Sequence, residues 1–224
     1  MIDFAPRIDA IRAQLDAFRA QKLRCFATSS FQTQSVPLLH ILATQAPEIP
    51  VYFLNTGYLF PETLAFRDQL ARDWGLLVRN ARSTVPRAQQ RGPDGRFLFA
   101  SDPDACCDLN KVAPLEPVLA AHDVWINGVR ATQSSVRAAM KALQPTRQGV
   151  LRYHPLLDWD ARMVHYYIEQ HGLPRHPLED AGYGSIGCQP CTRRISAALD
   201  DRGGRWQGLA KTECGLHTTL GGGA

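Results

Sequence analysis

The sequence lacks long apolar runs, a glycine-rich phosphate loop and any large excess of one charge. No stretch approaches the roughly 18 uninterrupted apolar residues of a membrane helix, so no membrane partner is expected. The first twenty residues carry Asp3, Arg7, Asp9, Arg12, Asp16 and Arg19, which leaves no apolar region for a secretory leader. A cytoplasmic location is the expectation. The charge excess is +4, from 25 basic and 21 acidic residues, too small for a nucleic-acid footprint. There is no internal repeat. What is present, 224 residues with 45% apolar and 21% charged content, suits one α/β domain with a sizeable core.

Apolar spacing predicts an amphipathic helix over 7–20, with Ile8, Ile11, Leu15 and Phe18 on one face. Short apolar runs predict strands at 24–28, 51–54, 76–78, 124–127 and 150–155. Helices are expected after Pro37, over 61–74, over 133–143 and over 160–171. Segment 83–103 reads as a long loop, and Asp104 can cap a short helix starting at Ala105. Such alternation implies a mostly parallel sheet with helices on both faces. Ligands in these folds bind beyond the carboxyl ends of the strands.

Cysteine carries the strongest chemical signal. In a reducing compartment, clustered cysteines are metal ligands or catalytic groups rather than disulfides. Cys106-Cys107 and Cys188-Gln189-Pro190-Cys191 supply four thiols. Four sulfur ligands suit zinc or an iron–sulfur cluster. Side chains of adjacent cysteines diverge, so they reach two irons of one cluster more easily than one zinc, and this favours a [4Fe–4S] cluster. Lys111, four residues after Cys107, would share its helical face, close to both cluster and anionic substrate. Cys214, between Lys211 and His217, reads as an activated nucleophile on a mobile C-terminal segment, since neighbouring cations populate the thiolate. A spare surface thiol is the plain alternative. Cys25, inside a strand, reads as a small buried hydrophobe.

Anion-binding elements surround these cysteines. Ser29, Ser30 and Ser35 bound a polar stretch between the first strand and its helix, where backbone N–H groups favour phosphate or sulfate. The stretch has no Gly-Lys-Ser/Thr and is not a Walker loop. Arg130 and Arg137 follow the fourth strand, and Arg202 and Arg205 precede Cys214. Guanidinium forks match sulfate and phosphate oxygens.

Taken together and in order, Ser29–Ser35, Asn55-Thr56-Gly57-Tyr58-Leu59-Phe60-Pro61-Glu62-Thr63, Cys106-Cys107, Gly128–Arg137, Cys188–Cys191 and Glu213-Cys214-Gly215-Leu216-His217 resemble the assimilatory APS/PAPS reductases. The resemblance spans about 24–217. It implies an adenine nucleotide α-hydrolase-like (PP-loop) fold, with a reductase domain at 1–200 and a mobile segment at 201–224. It implies a [4Fe–4S] cluster on Cys106, Cys107, Cys188 and Cys191, with Lys111 between cluster and substrate. Segment 29–35 looks like the family's modified PP-loop, and Thr56-Gly57 like its adenosine-side turn. Arg137, Arg202, Arg205 and His217 match positions that hold the phosphosulfate.

The implied activity is reduction of adenosine 5′-phosphosulfate (APS) to sulfite and AMP, through a thiosulfonate on Cys214. Thioredoxin or glutaredoxin would supply electrons, since no flavin or nicotinamide site is visible. In the family the cluster cysteines accompany APS use; 3′-phospho-APS (PAPS) is the alternative substrate. Three departures stand out: Gln32 where many relatives have Gly, Asn55 where many have Asp, and a turn before Arg137 one residue shorter than in some. Two rivals remain. ATP-dependent adenylation, as in tRNA thiolation enzymes, keeps an SGGxDS loop that Ser30–Ser35 lacks. A zinc-binding interaction module leaves Cys214 and the arginines unexplained. Oligomeric state is not encoded legibly.

Overall fold

The computed structural model describes residues 2–194, 204–206, 216 and 220. Helices α1 (Ala5–Ala20), α2 (Val36–Gln45) and α3 (Pro61–Asp73) alternate with strands β1 (Cys25–Thr28), β2 (Val51–Leu54) and β3 (Val78–Ala81). Each of the three helices carries proline in its first turn, where the missing N–H costs nothing. Gly75, at φ +63°, ends α3 in the left-handed conformation that residues with a Cβ avoid. Short α4 (Leu98–Ser101), α5 (Pro103–Cys107), a π-helical turn at Asp108–Val112 and α6 (Ala113–Ala120) follow. Then come β4 (Val124–Asn127), α7 (Ser135–Ala138), β5 (Leu143–Pro145), β6 (Leu151–Tyr153) and α8 (Ala161–Gln170).

The sheet order is β3-β2-β1-β4-β6-β5, parallel except for β5, which runs antiparallel to β6. Strand alternation divides the apolar residues between two faces. Ala27, Val51, Phe53, Val124 and Ile126 face α1, α2, α3 and α8, whose buried residues include Leu15, Leu39, Phe66 and Val164. Phe26 and Trp125 face α6 through Leu115 and Leu119. Burying each such large side chain contributes about 1.5–3 kcal/mol, so helices cover both faces as expected.

Three expectations need correction. The helix expected over 133–143 is absent: α7 spans only four residues, and the chain turns to add β5 to the sheet edge. The third strand lies at 78–81 rather than 76–78, since an edge strand paired on one side tolerates polar Arg79 and Asn80. Asp102, not Asp104, caps the helix carrying the paired cysteines, accepting bonds from Asp104 N (3.1 Å) and Ala105 N (2.9 Å).

Candidate active site

Chain order reverses at β1, which pairs with β2 on one side and β4 on the other. At the carboxyl ends of β1 and β4 a cleft of about 190 Å³ opens, the place where this sheet type binds ligands. Ser29, Ser30 and Ser35 form one wall, and Lys111, Arg137 and Arg205 carry the positive charge. Phe53, Leu54 and Leu59 give an apolar side. The serine loop is held under strain. Phe31, fully buried, sits at φ +56°, a conformation costing about 1–3 kcal/mol for such a residue. Ser29 Oγ accepts from Phe31 N (3.1 Å), and Ser30 and Ser35 share a hydroxyl–hydroxyl bond of 3.2 Å. Gln32 does not obstruct the loop: its Oε1 accepts from Ile186 N (3.0 Å), tying the loop to the segment before Cys188.

The arginines are held by different means. Arg137 is buried and donates to Gln133 Oε1. Arg130 donates to Gln34 Oε1 (3.1 Å) and lines an adjoining cavity beside His165 and Arg175 instead of the cleft. Arg205 returns to the site because 204–206 pair with 191–193, through Arg193 N to Gly204 O (2.8 Å) and Trp206 N to Cys191 O (3.1 Å). There its guanidinium lies close against Gly187, where any Cβ would collide with it.

Beside the cleft, Cys106, Cys107, Cys188 and Cys191 line one small cavity, along with Thr56, Tyr58, Asn110 and Lys111. α5 presents the adjacent pair, and a 3-10 turn at Gln189–Cys191 presents the other two. Gln189 N donates to Tyr58 O (2.7 Å), fixing that turn to the segment between β2 and α3. Cys188 Sγ lies 3.2 Å from Thr56 Oγ1, and Asn110 Nδ2 lies 3.6 Å from Cys106 Sγ. Burial first, then Cys188 and Cys191, push the Cys106 thiol up to about 11, against the opposing pull of Asn110 and Lys111. Among the described residues, no three His, Cys, Asp or Glu side chains converge tightly enough for one metal ion. The donors are all sulfur and ring a space, a pattern that fits a multi-iron group better than a point ion.

Lys111 and Cys188 line both cavities, so the two sites share a wall. The structure therefore brings together Ser29, Ser30, Ser35, Lys111, Arg137 and Arg205 in the cleft, and the four cysteines behind it. Thr56 belongs to the cysteine cavity. Gly57, at φ +76°, forms the turn across which the Arg87 stem lies. Cys214, Arg202 and His217 lie outside the described residues. Leu216 and Leu220 are described: Leu216 lines the cleft, and both pack on the α6 face of the sheet.

Some neighbours escaped sequence reasoning. Asn127 lines the cleft, and its Oδ1 meets Nδ1 of buried His154 at 2.7 Å. Burial first, then Arg152 and Arg137, depress that imidazole to about 3, so it stays neutral. Arg152, fully buried, lies 4.2 Å over the Trp125 ring and donates to Leu216 O at 3.5 Å. A polar residue closing an otherwise apolar strand, as Asn127 closes Val124–Asn127, was the available signal.

The phosphoadenosine phosphosulfate reductase domain matches residues 24–194, most of this chain and every strand of the sheet. The chain belongs to that family. It is 40% identical over 183 residues to an adenosine 5′-phosphosulfate reductase of Rhodococcus opacus, covering 81% of this chain and 74% of the relative. It is also 40% identical over 211 residues to a phosphoadenosine 5′-phosphosulfate reductase of Gloeobacter violaceus, covering 90% and 88%. Among solved structures, the phosphoadenylyl-sulfate reductase of Candida auris superposes with a TM-score of 0.66 at 21% identity, over 84% of this chain and 97% of that one. The FMN adenylyltransferase of Candida glabrata reaches 0.60 at 14% identity, over 93% and 77%. At these identities the superpositions show the fold alone, a PP-loop-like adenine nucleotide fold. Among the described residues, no helix is long and apolar enough to cross a membrane.

Proposed function

We propose that this family member is an assimilatory reductase converting APS and a dithiol to AMP, sulfite and a disulfide. The observation that carries the reading is the shared wall: a cationic, serine-lined cleft backed by a small cavity that four cysteines line. The apolar side, Phe53, Leu54 and Leu59, suits a purine. Lys111, Arg137 and Arg205 suit a phosphosulfate, with Ser29, Ser30 and Ser35 donating to its oxygens. Arg202 and His217 are proposed to add to that end, and Thr56-Gly57 to set the edge nearest the ribose.

Cys214 thiolate attacks the sulfuryl sulfur, the S–O bond to the phosphate breaks, and AMP leaves with the electron pair. Cys214–S–SO₃⁻ results. Lys111, Arg137 and Arg205 offset the charge that gathers on the transferring group and on AMP. A thiolate of thioredoxin or glutaredoxin then attacks Cys214 Sγ and expels sulfite. Its second thiol resolves the mixed disulfide and returns the Cys214 thiol. Residues 201–224 serve as the segment that carries Cys214 to the cleft.

Cys106, Cys107, Cys188 and Cys191 would hold a [4Fe–4S] cluster. When bound, it would supply a fixed charge distribution behind Lys111. The paired-cysteine set favours APS; PAPS is the alternative, since relatives of both names are equally similar. The deciding experiment compares kcat/KM for APS and PAPS with a small dithiol, in wild type and Cys214→Ser. Preference for APS, and loss of sulfite release in Cys214→Ser with iron retained, is the expected result. Normal turnover by Cys214→Ser would sink the mechanism.

A further inference from the structure

Positive charge is distributed very unevenly. Between Arg79 and Arg96 lie five arginines (79, 82, 87, 91 and 96) and one acidic residue, Asp94. Taking these from 25 basic and 21 acidic residues leaves 20 of each in the rest of the chain. The whole net charge of +4 therefore resides in eighteen residues. All five arginines are exposed.

Arg87 and Arg91 are held by stacking, and Arg96 pairs with Asp94 at 2.6 Å. Arg91 lies 4.0 Å over the Phe97 ring, and Phe97 stacks on Phe99 at 5.5 Å. Phe99 meets Tyr58 edge-on at 5.3 Å, and Arg87 lies 4.6 Å over Tyr58. Tyr58 and Phe99 line the cysteine cavity. A row of three aromatic rings with an arginine at each end thus runs along that cavity. At its end, the Arg87 stem crosses the Gly57 turn beside the substrate cleft. Stacking fixes the guanidinium planes while leaving their charge to solvent.

We propose that this arginine surface is the docking face for the dithiol protein that reduces the enzyme, and that it receives an acidic patch around that partner's thiols. The inference rests on the reading under Proposed function that a thiol protein is the second substrate. Two arguments support it. The surface adjoins the cleft where the thiosulfonate must be presented. Clustered charge also raises encounter rates between proteins of opposite sign, by about 10- to 1,000-fold at low salt. A small substrate held inside the cleft meets Lys111, Arg137 and Arg205 there and needs no charge on the outer wall.

The test compares two reductants with the iron-loaded full chain: a purified thioredoxin and dithiothreitol, APS saturating. For wild type, kcat/KM for thioredoxin should fall steeply from low to about 0.15 M salt, where screening reaches about 8 Å. The dithiothreitol rate should stay flat. The triple variant Arg82→Gln, Arg91→Gln, Arg96→Gln should lose about tenfold in kcat/KM for thioredoxin at low salt. It should keep its dithiothreitol rate within about twofold, and the corresponding triple Lys variant should match wild type. A salt-insensitive thioredoxin reaction, or an equal loss with both reductants, would overturn the docking proposal. Wild-type inactivity with both reductants would instead overturn the reductase reading beneath it.

Discussion

Gly187 offers a clean way to displace one arginine without disturbing the core. A Cβ built there would stand 2.5 Å from Cζ of Arg205, against about 3.5–4.0 Å for a comfortable contact. The guanidinium must therefore retreat by about 1 Å. It ends a flexible side chain, so the move is cheap in stability, and Gly187→Ala should shift the unfolding free energy by less than about 1 kcal/mol. In function the same move is costly. A charge-assisted bond contributes about 1.5–3 kcal/mol, so losing it from the phosphosulfate should lower kcat/KM for APS by about 10- to 150-fold. Steady-state turnover with dithiothreitol, together with a thermal melt, reads both quantities. Wild-type kcat/KM in Gly187→Ala would refute the placement of Arg205 on substrate. A large loss of stability would refute the claim that its guanidinium, stacked 4.6 Å from the Trp206 ring, shifts at little cost.

Other outcomes follow from single residues. His176 is buried, meets Thr63 Oγ1 at 2.9 Å through Nε2, and accepts from Leu178 N through Nδ1, so it is held neutral. Burial depresses it to about 4, against attraction from Glu62 and Glu179. The unfolded chain takes up that proton first, near pH 6.5, so stability should decline as pH falls from about 6.5 to about 4. The slope should approach about 1.4 kcal/mol per pH unit. Urea midpoints across that window, shallower in His176→Gln, check the sign. Cys188→Ser should lower iron content and visible absorption together; unchanged iron would remove Cys188 from the ligand set. Asp102→Ala should cost about 1 kcal/mol through the lost cap and speed iron loss to a chelator, because that cap starts the helix bearing Cys106 and Cys107.

Much of this architecture is written in local patterns. Short apolar runs locate β1, β2 and β4, and prolines with helical spacing locate α2 and α3, because burial on both faces demands such runs. The cysteine spacing is likewise legible, since sulfur ligands cannot be replaced by other residue types without changing the chemistry. β5 is not legible: Ala138 to Leu143 are good helix formers, and only pairing with β6 draws 143–145 into the sheet. The Asn127–His154 bond joins residues 27 apart, and Arg152 reaches Leu216 across 64. No periodicity reports contacts of that kind. Arg130 looks like a ligand for anions by type and place, yet tertiary packing turns it to Gln34.

The π-turn at Asp108–Val112 sets the aim of Lys111 between the two cavities. Such a turn adds one residue to an otherwise α-helical path. Deleting one residue from it would restore the regular pitch and leave the helices on either side in nearly their present phase, because the wider turn already absorbs the extra residue. Cys106 and Cys107 lie before the turn, and Lys111 lies within it. The deletion would leave Cys106 and Cys107 in place and re-aim the side chains within the turn, so that Lys111 no longer faces both cavities. One extra residue thus works as a swivel, aiming Lys111 without moving the helix that bears Cys106 and Cys107.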